Sequence, residues 1–189
     1  MRIIAGIHRS RRLIAPEGEA TRPTSDKLRG ALFNILHSAG MIAGKRWLDL
    51  YAGSGAVSIE AISRGASGAV AVENGKNALE ALTANRKTLQ LTRELRVIES
   101  DVLKALRELE ANSEVFDVVF LDPPYKDEPA YQQTLQVLSR SRVLLPGSIV
   151  IAEHDKRFDP GDAFGSLRRT RVHKVSDSVL SFYLLTDSV

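Results

Sequence analysis

The stretch RWLDLYAGSGAVSIEAISRGASGAVAVE, residues 46 to 73, decides the fold. Residues 46–51 and 69–73 are near-continuous apolar runs, the pattern of strands buried on both faces. Between them, residues 55–64 carry apolar side chains at helical spacing, and Gly65 closes that segment. A strand, a helix and a second strand in this order place the two strands parallel. The alternation continues with a helix over 76–90, a strand over 95–99, a helix over 102–111, a strand over 117–122, a helix over 129–140 and, after Gly147, a strand over 148–153. These elements predict an α/β fold with a doubly wound, mostly parallel sheet covered by helices on both sides.

Toward the C-terminus the rule changes. RRTRVHKV, 168–175, and VLSFYLL, 179–185, read as two strands joined by a turn at Ser176, Asp177 and Ser178. The expected sheet is therefore seven-stranded and ends in an antiparallel hairpin, which resembles the Rossmann-like class I methyltransferase architecture more than the dehydrogenase one. Toward the N-terminus, Leu28, Leu32, Ile35, Leu36 and Ala39 predict an amphipathic helix over 25–40, with Thr24 as N-cap and Gly40 as its end. Residues 1–24 precede it as a basic arm or hairpin.

With 189 residues, 43% of them hydrophobic and 26% charged, the composition is that of one globular domain. The absence of cysteine excludes disulfides, thiolate metal sites and a cysteine nucleophile. No apolar run reaches the roughly 18 residues of a membrane span, and the first residues lack the apolar core of a signal peptide, so a cytoplasmic protein is expected. The net charge of +3 is unevenly spread. Arg2, Arg9, Arg11, Arg12, Arg22, Lys27 and Arg29 face only Glu17, Glu19 and Asp26 among the first 29 residues, and the remainder of the chain is slightly acidic. Such clustering is the electrostatic footprint of phosphate binding, and equally that of a solvated surface.

In open α/β sheets ligands bind beyond the carboxyl ends of the strands. The first strand ends in Asp49, followed by Gly53 and Gly55, glycines that let the backbone turn tightly and approach a ligand closely. A nicotinamide fingerprint would place a third glycine where Ser58 stands. Glu73 ends the second strand, about twenty residues on, where a carboxylate can accept from both hydroxyls of a ribose. Asp101 follows the third strand; it suits an adenine amino group and, equally, the N-cap of the next helix.

The fourth strand ends in Asp122, Pro123, Pro124 and Tyr125. Two prolines stiffen the loop, and the second forces the first into an extended conformation. An exocyclic base amine is a poor nucleophile because its lone pair is delocalised into the ring. The Asp122 carboxylate and the Pro123 carbonyl are both acceptors, able to hold its two N–H groups and draw the nitrogen toward a tetrahedral, reactive geometry. Tyr125 would stack on the base, an interaction worth about 1 to 3 kcal/mol. The four histidines, His8, His37, His154 and His173, are scattered without metal-ligand spacing, and no metal is expected.

These residues resemble the bacterial 16S rRNA (guanine-N2)-methyltransferases of the RsmD type. The similarity runs through RIIAG (2–6), the basic turn 9–13, RPTSDKLRGALFNIL (22–36), LDLYAGSGAVSIEAISRGA (48–66) and VVFLDPPY (118–125). It implies that Asp49, Gly53, Gly55, Glu73 and Asp101 line a site for S-adenosylmethionine, released as S-adenosylhomocysteine. Asp122 borders that site and, with Pro123 and Tyr125, holds the guanine. It also implies that the arm grips ribosomal RNA, with Arg9, Arg11, Arg12 and Arg22 as the contacts. The partner would be 16S rRNA in the small subunit or its assembly intermediate, and the protein a monomer. Two positions depart from the family pattern: Ser10 stands where a glycine is expected and Gly30 where a glutamate is expected.

Two alternatives remain at this level. The Asp-Pro-Pro-Tyr logic serves DNA adenine N6 or a tRNA amine as well as guanine N2, although a chain of this size lacks a separate base-reading domain. A non-catalytic RNA-binding assembly factor would keep the fold without turnover.

Overall fold

The computed structural model describes residues 1–16, 25–124 and 127–186. Its centre is an eight-stranded sheet in the order β3-β2-β1-β4-β5-β8-β7-β6. Strands β1 (Arg46–Leu50), β2 (Gly68–Glu73), β3 (Leu95–Glu99), β4 (Phe116–Leu121) and β5 (Leu144–Asp155) are parallel. β7 (Leu167–Val175) and β8 (Ser178–Leu185) form the terminal antiparallel hairpin, with β8 paired to β5.

Side chains alternate across each strand, so one apolar run feeds two cores. Trp47, Ala69, Ala71, Val118 and Phe120 face α1 (Asp26–Ser38), α2 (Ala56–Ser63) and α3 (Lys76–Thr88). Leu48, Leu50, Val70, Val72, Val119 and Leu121 face α4 (Val102–Ala111) and α5 (Glu128–Leu138). Burial on both faces is why these strands carry no polar alternation.

Most element ends fall within two residues of the sequence expectation, and three features differ from it. The sheet has eight strands rather than seven, because the two-residue β6 (Ala163–Phe164) pairs with β7 across a turn at Gly165 and Ser166. β5 starts at Leu144, not at 148: Gly147, which marked the turn before the strand, sits with Pro146 inside an irregularity where the register jumps from Phe116↔Leu144 to Val118↔Ile149. Helix α1 is capped by Ser25, whose side chain accepts from the Leu28 N–H at 3.1 Å; Thr24 lies outside the described residues.

The first residues are docked on the domain. Arg2 and Arg12 form an antiparallel bridge, and Ile3 and Leu13 are buried in the α1–α2–α3 core. Glu60 of α2, itself buried, accepts from the N–H groups of Ile4 at 2.8 Å and Ala5 at 3.0 Å, and pairs with Arg64. The Ile7 N–H donates to the Ser63 carbonyl at 2.8 Å. A Cβ on Gly6 would come within 1.7 Å of that oxygen, so only glycine permits the approach. Ser10 has a left-handed φ of 68°, which explains why a glycine is expected there.

Candidate active site

β1 and β4 are adjacent, yet the chain leaves β1 toward β2 and β3 before crossing back to β4. This is the switch point at which α/β sheets open a crevice. Leu50 lies beside Val72 on one side and Leu121 on the other, so the segments that follow β1, β2 and β4 emerge side by side.

The loop after β1 is Tyr51 to Gly55. Tyr51 is a non-glycine residue at φ 63°, a conformation that costs on the order of 1 to 3 kcal/mol and clusters at functional sites. Its hydroxyl shares a 2.9 Å hydrogen bond with Thr134 of α5, and burial raises its pKa. The two glycines, grouped together in the sequence, serve different ends. A Cβ on Gly55 would lie 2.3 Å from Leu82 Cδ1, so that glycine lets α3 pack against the loop. A Cβ on Gly53 would meet nothing within 4 Å, so its missing side chain leaves open space in front of the loop.

Asp49 lies beneath this loop, 1% exposed. Its Oδ2 accepts from the Ser58 N–H at 3.1 Å and the Ser58 hydroxyl at 2.6 Å. Burial pushes its carboxyl up to about 7, against the opposing effect of the two Ser58 contacts. Glu73, half-buried at the end of β2, accepts from Gly53 N–H at 2.8 Å on Oε2 and from the Asn74 and Gly75 N–H groups, each at 2.8 Å, on Oε1. A carboxylate offers about four acceptor positions, so these contacts leave room for about one more. Taking both hydroxyls of a ribose requires one backbone contact to give way. Asp101 is exposed and caps α4 through Oδ1, which accepts from Leu103 N–H at 2.9 Å and Lys104 N–H at 3.2 Å.

Asp122 follows β4 half-buried, Pro123 is buried and Pro124 is exposed. The Pro124 carbonyl accepts from Asp127 N–H at 2.8 Å, and Asp127 caps α5. Behind the loop stands Tyr131, buried, donating its hydroxyl to the Glu153 carbonyl at 2.9 Å. Burial raises its pKa, and the charge of Asp122 raises it further. Tyr125 lies outside the described residues, as does Arg22. Arg9, Arg11 and Arg12 are exposed on the docked hairpin and pair with no carboxylate among the described residues.

The family model described as "Conserved hypothetical protein 95" matches residues 1–184. The chain is 36% identical over 171 residues to "Putative rRNA methyltransferase YlbH" of Bacillus subtilis, covering 90% of this chain and 91% of that protein. It is 36% identical over 157 residues to "Ribosomal RNA small subunit methyltransferase D" of Haemophilus influenzae, covering 82% and 79% of the two. The chain belongs to the RsmD family. Among solved structures, the "Putative methyltransferase yhhF from Escherichia coli" superimposes with a TM-score of 0.84 at 29% identity, over 100% of this chain and 99% of that one. The RsmD fold thus extends over the docked hairpin as well as the sheet.

The acids that the sequence singles out belong to the ends of four neighbouring strands, with Glu73, Asp101 and Asp122 at or after the last residues of β2, β3 and β4 and Asp49 buried beneath the loop, but sequence reasoning missed what holds them. Ser58, Tyr51, Thr134, Asn85 and Tyr131 are buried or half-buried polar groups whose hydrogen bonds join the loop after β1 and the strand ends to the helices and strands around them, and Glu60 holds the hairpin to α2. One signal was available: Ala78, Leu82 and Asn85 share a helical face, which puts a polar side chain on the buried stripe of α3.

Among the described residues no helix is long and apolar enough to cross a membrane, and no three histidines or acids converge as a metal site.

Proposed function

We propose that this protein transfers a methyl group from S-adenosylmethionine to the exocyclic N2 of a guanine in 16S rRNA, acting as a monomer on the small subunit or its assembly intermediate inside the cell. The observation that carries this reading is the convergence of the Gly53 loop, Glu73 and Asp122-Pro123-Pro124 at the carboxyl ends of three adjacent strands. The relatives named as rRNA methyltransferases support the substrate class.

The residues present fit the cofactor. Open space faces Gly53, Glu73 has room for about one ribose hydroxyl beside its three backbone contacts and for the second once one of them gives way, and Asp101, which caps α4 through Oδ1, has Oδ2 for an adenine amine. S-adenosylmethionine supplies, when bound, an electrophilic methyl group on a positively charged sulfur. Negative charge on Glu73, Asp101 and Asp122 suits that cation. Asp122 Oδ and the Pro123 carbonyl accept the two N–H groups of the guanine amine and fix its lone pair toward the methyl carbon. When nitrogen gains the methyl group it carries one proton too many, and the Asp122 carboxylate is the acceptor beside it. Catalysis then rests on positioning and electrostatics rather than on a protein nucleophile. Tyr125 completes the base site by stacking, and Arg9, Arg11, Arg12 and Arg22 hold phosphates.

The test is transfer of labelled methyl from S-adenosylmethionine to small subunits from cells lacking this gene, beside tRNA and DNA, with nucleoside identification. N2-methylguanosine in 16S rRNA supports the reading. N6-methyladenine in DNA, or label confined to tRNA, keeps the chemistry and discards the substrate; no label in any acceptor leaves the assembly-factor alternative.

A further inference from the structure

Asn85 sits in the third turn of α3 and is 2% exposed. Its Oδ1 accepts from the Ile14 N–H at 2.8 Å, and its Nδ2 donates to the Ile14 carbonyl at 2.9 Å and to the Ser54 carbonyl at 3.0 Å. Ile14 is the residue through which the chain leaves the basic hairpin, and Ser54 is the residue between the two glycines of the loop. The same loop residue meets the other strand of the hairpin at this end, where the Ser54 hydroxyl lies 3.9 Å from the Met1 sulfur and the Met1 carbonyl accepts from Leu13 N–H at 3.2 Å.

We propose that Asn85 is a positioning residue that holds the RNA-gripping hairpin and the cofactor loop in one fixed relation. This rests on the functional reading above. The chemistry is specific to the amide. One planar group must offer an acceptor and two donors, pairing with Ile14 as a neighbouring strand would and still reaching a third backbone group. Aspartate offers acceptors only and would face two carbonyl oxygens; leucine has the shape and none of the hydrogen bonds. Asparagine is a middling helix former, so α3 itself gains nothing from it. Its burial makes each of these hydrogen bonds costly to break, because a backbone group left unpaired away from water has no substitute partner. Glu60 and Ser63 anchor the far end of the hairpin to α2, and Asn85 fixes the end nearest the crevice. A base presented to Asp122 by RNA held on the hairpin is thereby placed relative to the loop that holds the methyl donor.

The experiment compares native protein with Asn85→Ala, Asn85→Asp, Asn85→Ser and, as a hairpin control, Arg12→Glu. It measures the dissociation constant for S-adenosylhomocysteine by calorimetry, the KM for small subunits, the kcat and the melting temperature, with all assays run well below melting. Asn85→Ala and Asn85→Asp raise both the dissociation constant and the KM by roughly tenfold, with kcat at saturation within about threefold of native. Asn85→Ser, whose hydroxyl serves one of the three partners, falls between and keeps the test open if the other two variants do not fold. Arg12→Glu raises the KM alone. A lowered melting temperature with both constants native, or movement of only one constant, overturns the proposal. Native protein that neither binds S-adenosylhomocysteine nor methylates subunits overturns the functional reading beneath it, an outcome seen before any variant is made.

Discussion

The Asp49 carboxylate, at the end of β1, accepts both the backbone N–H of Ser58, at 3.1 Å, and its hydroxyl, at 2.6 Å. The N-cap of helix α2 is Gly55, which has no side chain to cap it, so a strand residue satisfies an amide of the first turn instead. Asp49, expected to line the cofactor site, lies beneath the loop and ties β1 to α2.

That position has a pH signature. Burial lifts the Asp49 carboxyl to about 7, well above an unfolded aspartate near 3.9. The folded state therefore binds the proton more readily than the unfolded one. The stabilisation is fully present below about pH 4 and is lost as pH rises through about 7, at most about 1.4 kcal/mol per pH unit in that window. Asp49→Asn cannot titrate. Denaturant unfolding at a series of pH values is expected to show a downward slope across this window for native protein relative to Asp49→Asn, and parallel curves would remove Asp49 as its source.

Gly53 and Gly55 separate by experiment. Gly55→Ala drives a Cβ to 2.3 Å from Leu82 Cδ1 at φ 76°, so a melting temperature lowered by several degrees is expected. Gly53→Ala meets nothing in the protein, and its cost is limited to about 1 to 2 kcal/mol of left-handed strain. Its effect falls on ligand: binding of S-adenosylhomocysteine weakens at least tenfold. Native affinity in Gly53→Ala would show that the cofactor does not approach this loop.

Reversing Arg9, Arg11 and Arg12 to glutamate should raise the KM for small subunits steeply and flatten its salt dependence. Removing one arginine–phosphate pair lowers the slope of log affinity on log salt by about 0.7 to 0.9. Affinity for S-adenosylhomocysteine stays at the native value, because these side chains point outward from a hairpin held by its backbone. Equal weakening of both would mean that the hairpin had come loose instead.

Much of the fold was legible because the central strands β1, β2 and β4 are buried on both faces, so that apolar runs such as 69–73 and 117–121 alternate with helical segments as a βαβ succession requires. What escaped was short or local in disguise. β6 is two residues long, and Pro146-Gly147 carry a turn signature while standing inside β5. The candidate site was legible at strand ends, where Glu73, Asp101 and Asp122 end or follow strands of the parallel sheet. Its supports were not, since Asp49 to Ser58, Glu60 to Ile4 and Asn85 to Ser54 join residues whose pairing exists only after folding.

One departure from the family pattern predicts a gain. Gly30 lies inside α1, and a Cβ there would meet only Ile4 Cδ1, at 4.0 Å. Gly30→Ala is expected to stabilise the protein by about 1 kcal/mol through helix propensity, read as a rise in the denaturant midpoint. An unchanged or lowered midpoint would show that α1 needs its glycine.

The central claim is that Asp122 holds and deprotonates the base amine, and single-turnover methyl transfer to small subunits by native protein and Asp122→Asn, with S-adenosylhomocysteine affinity measured on both, tests it most directly. The variant keeps the shape of the side chain and replaces one acceptor with a donor. Transfer slowed by roughly 10²- to 10⁴-fold with cofactor affinity within a few-fold of native is the predicted result. Transfer at the native rate by Asp122→Asn would contradict it.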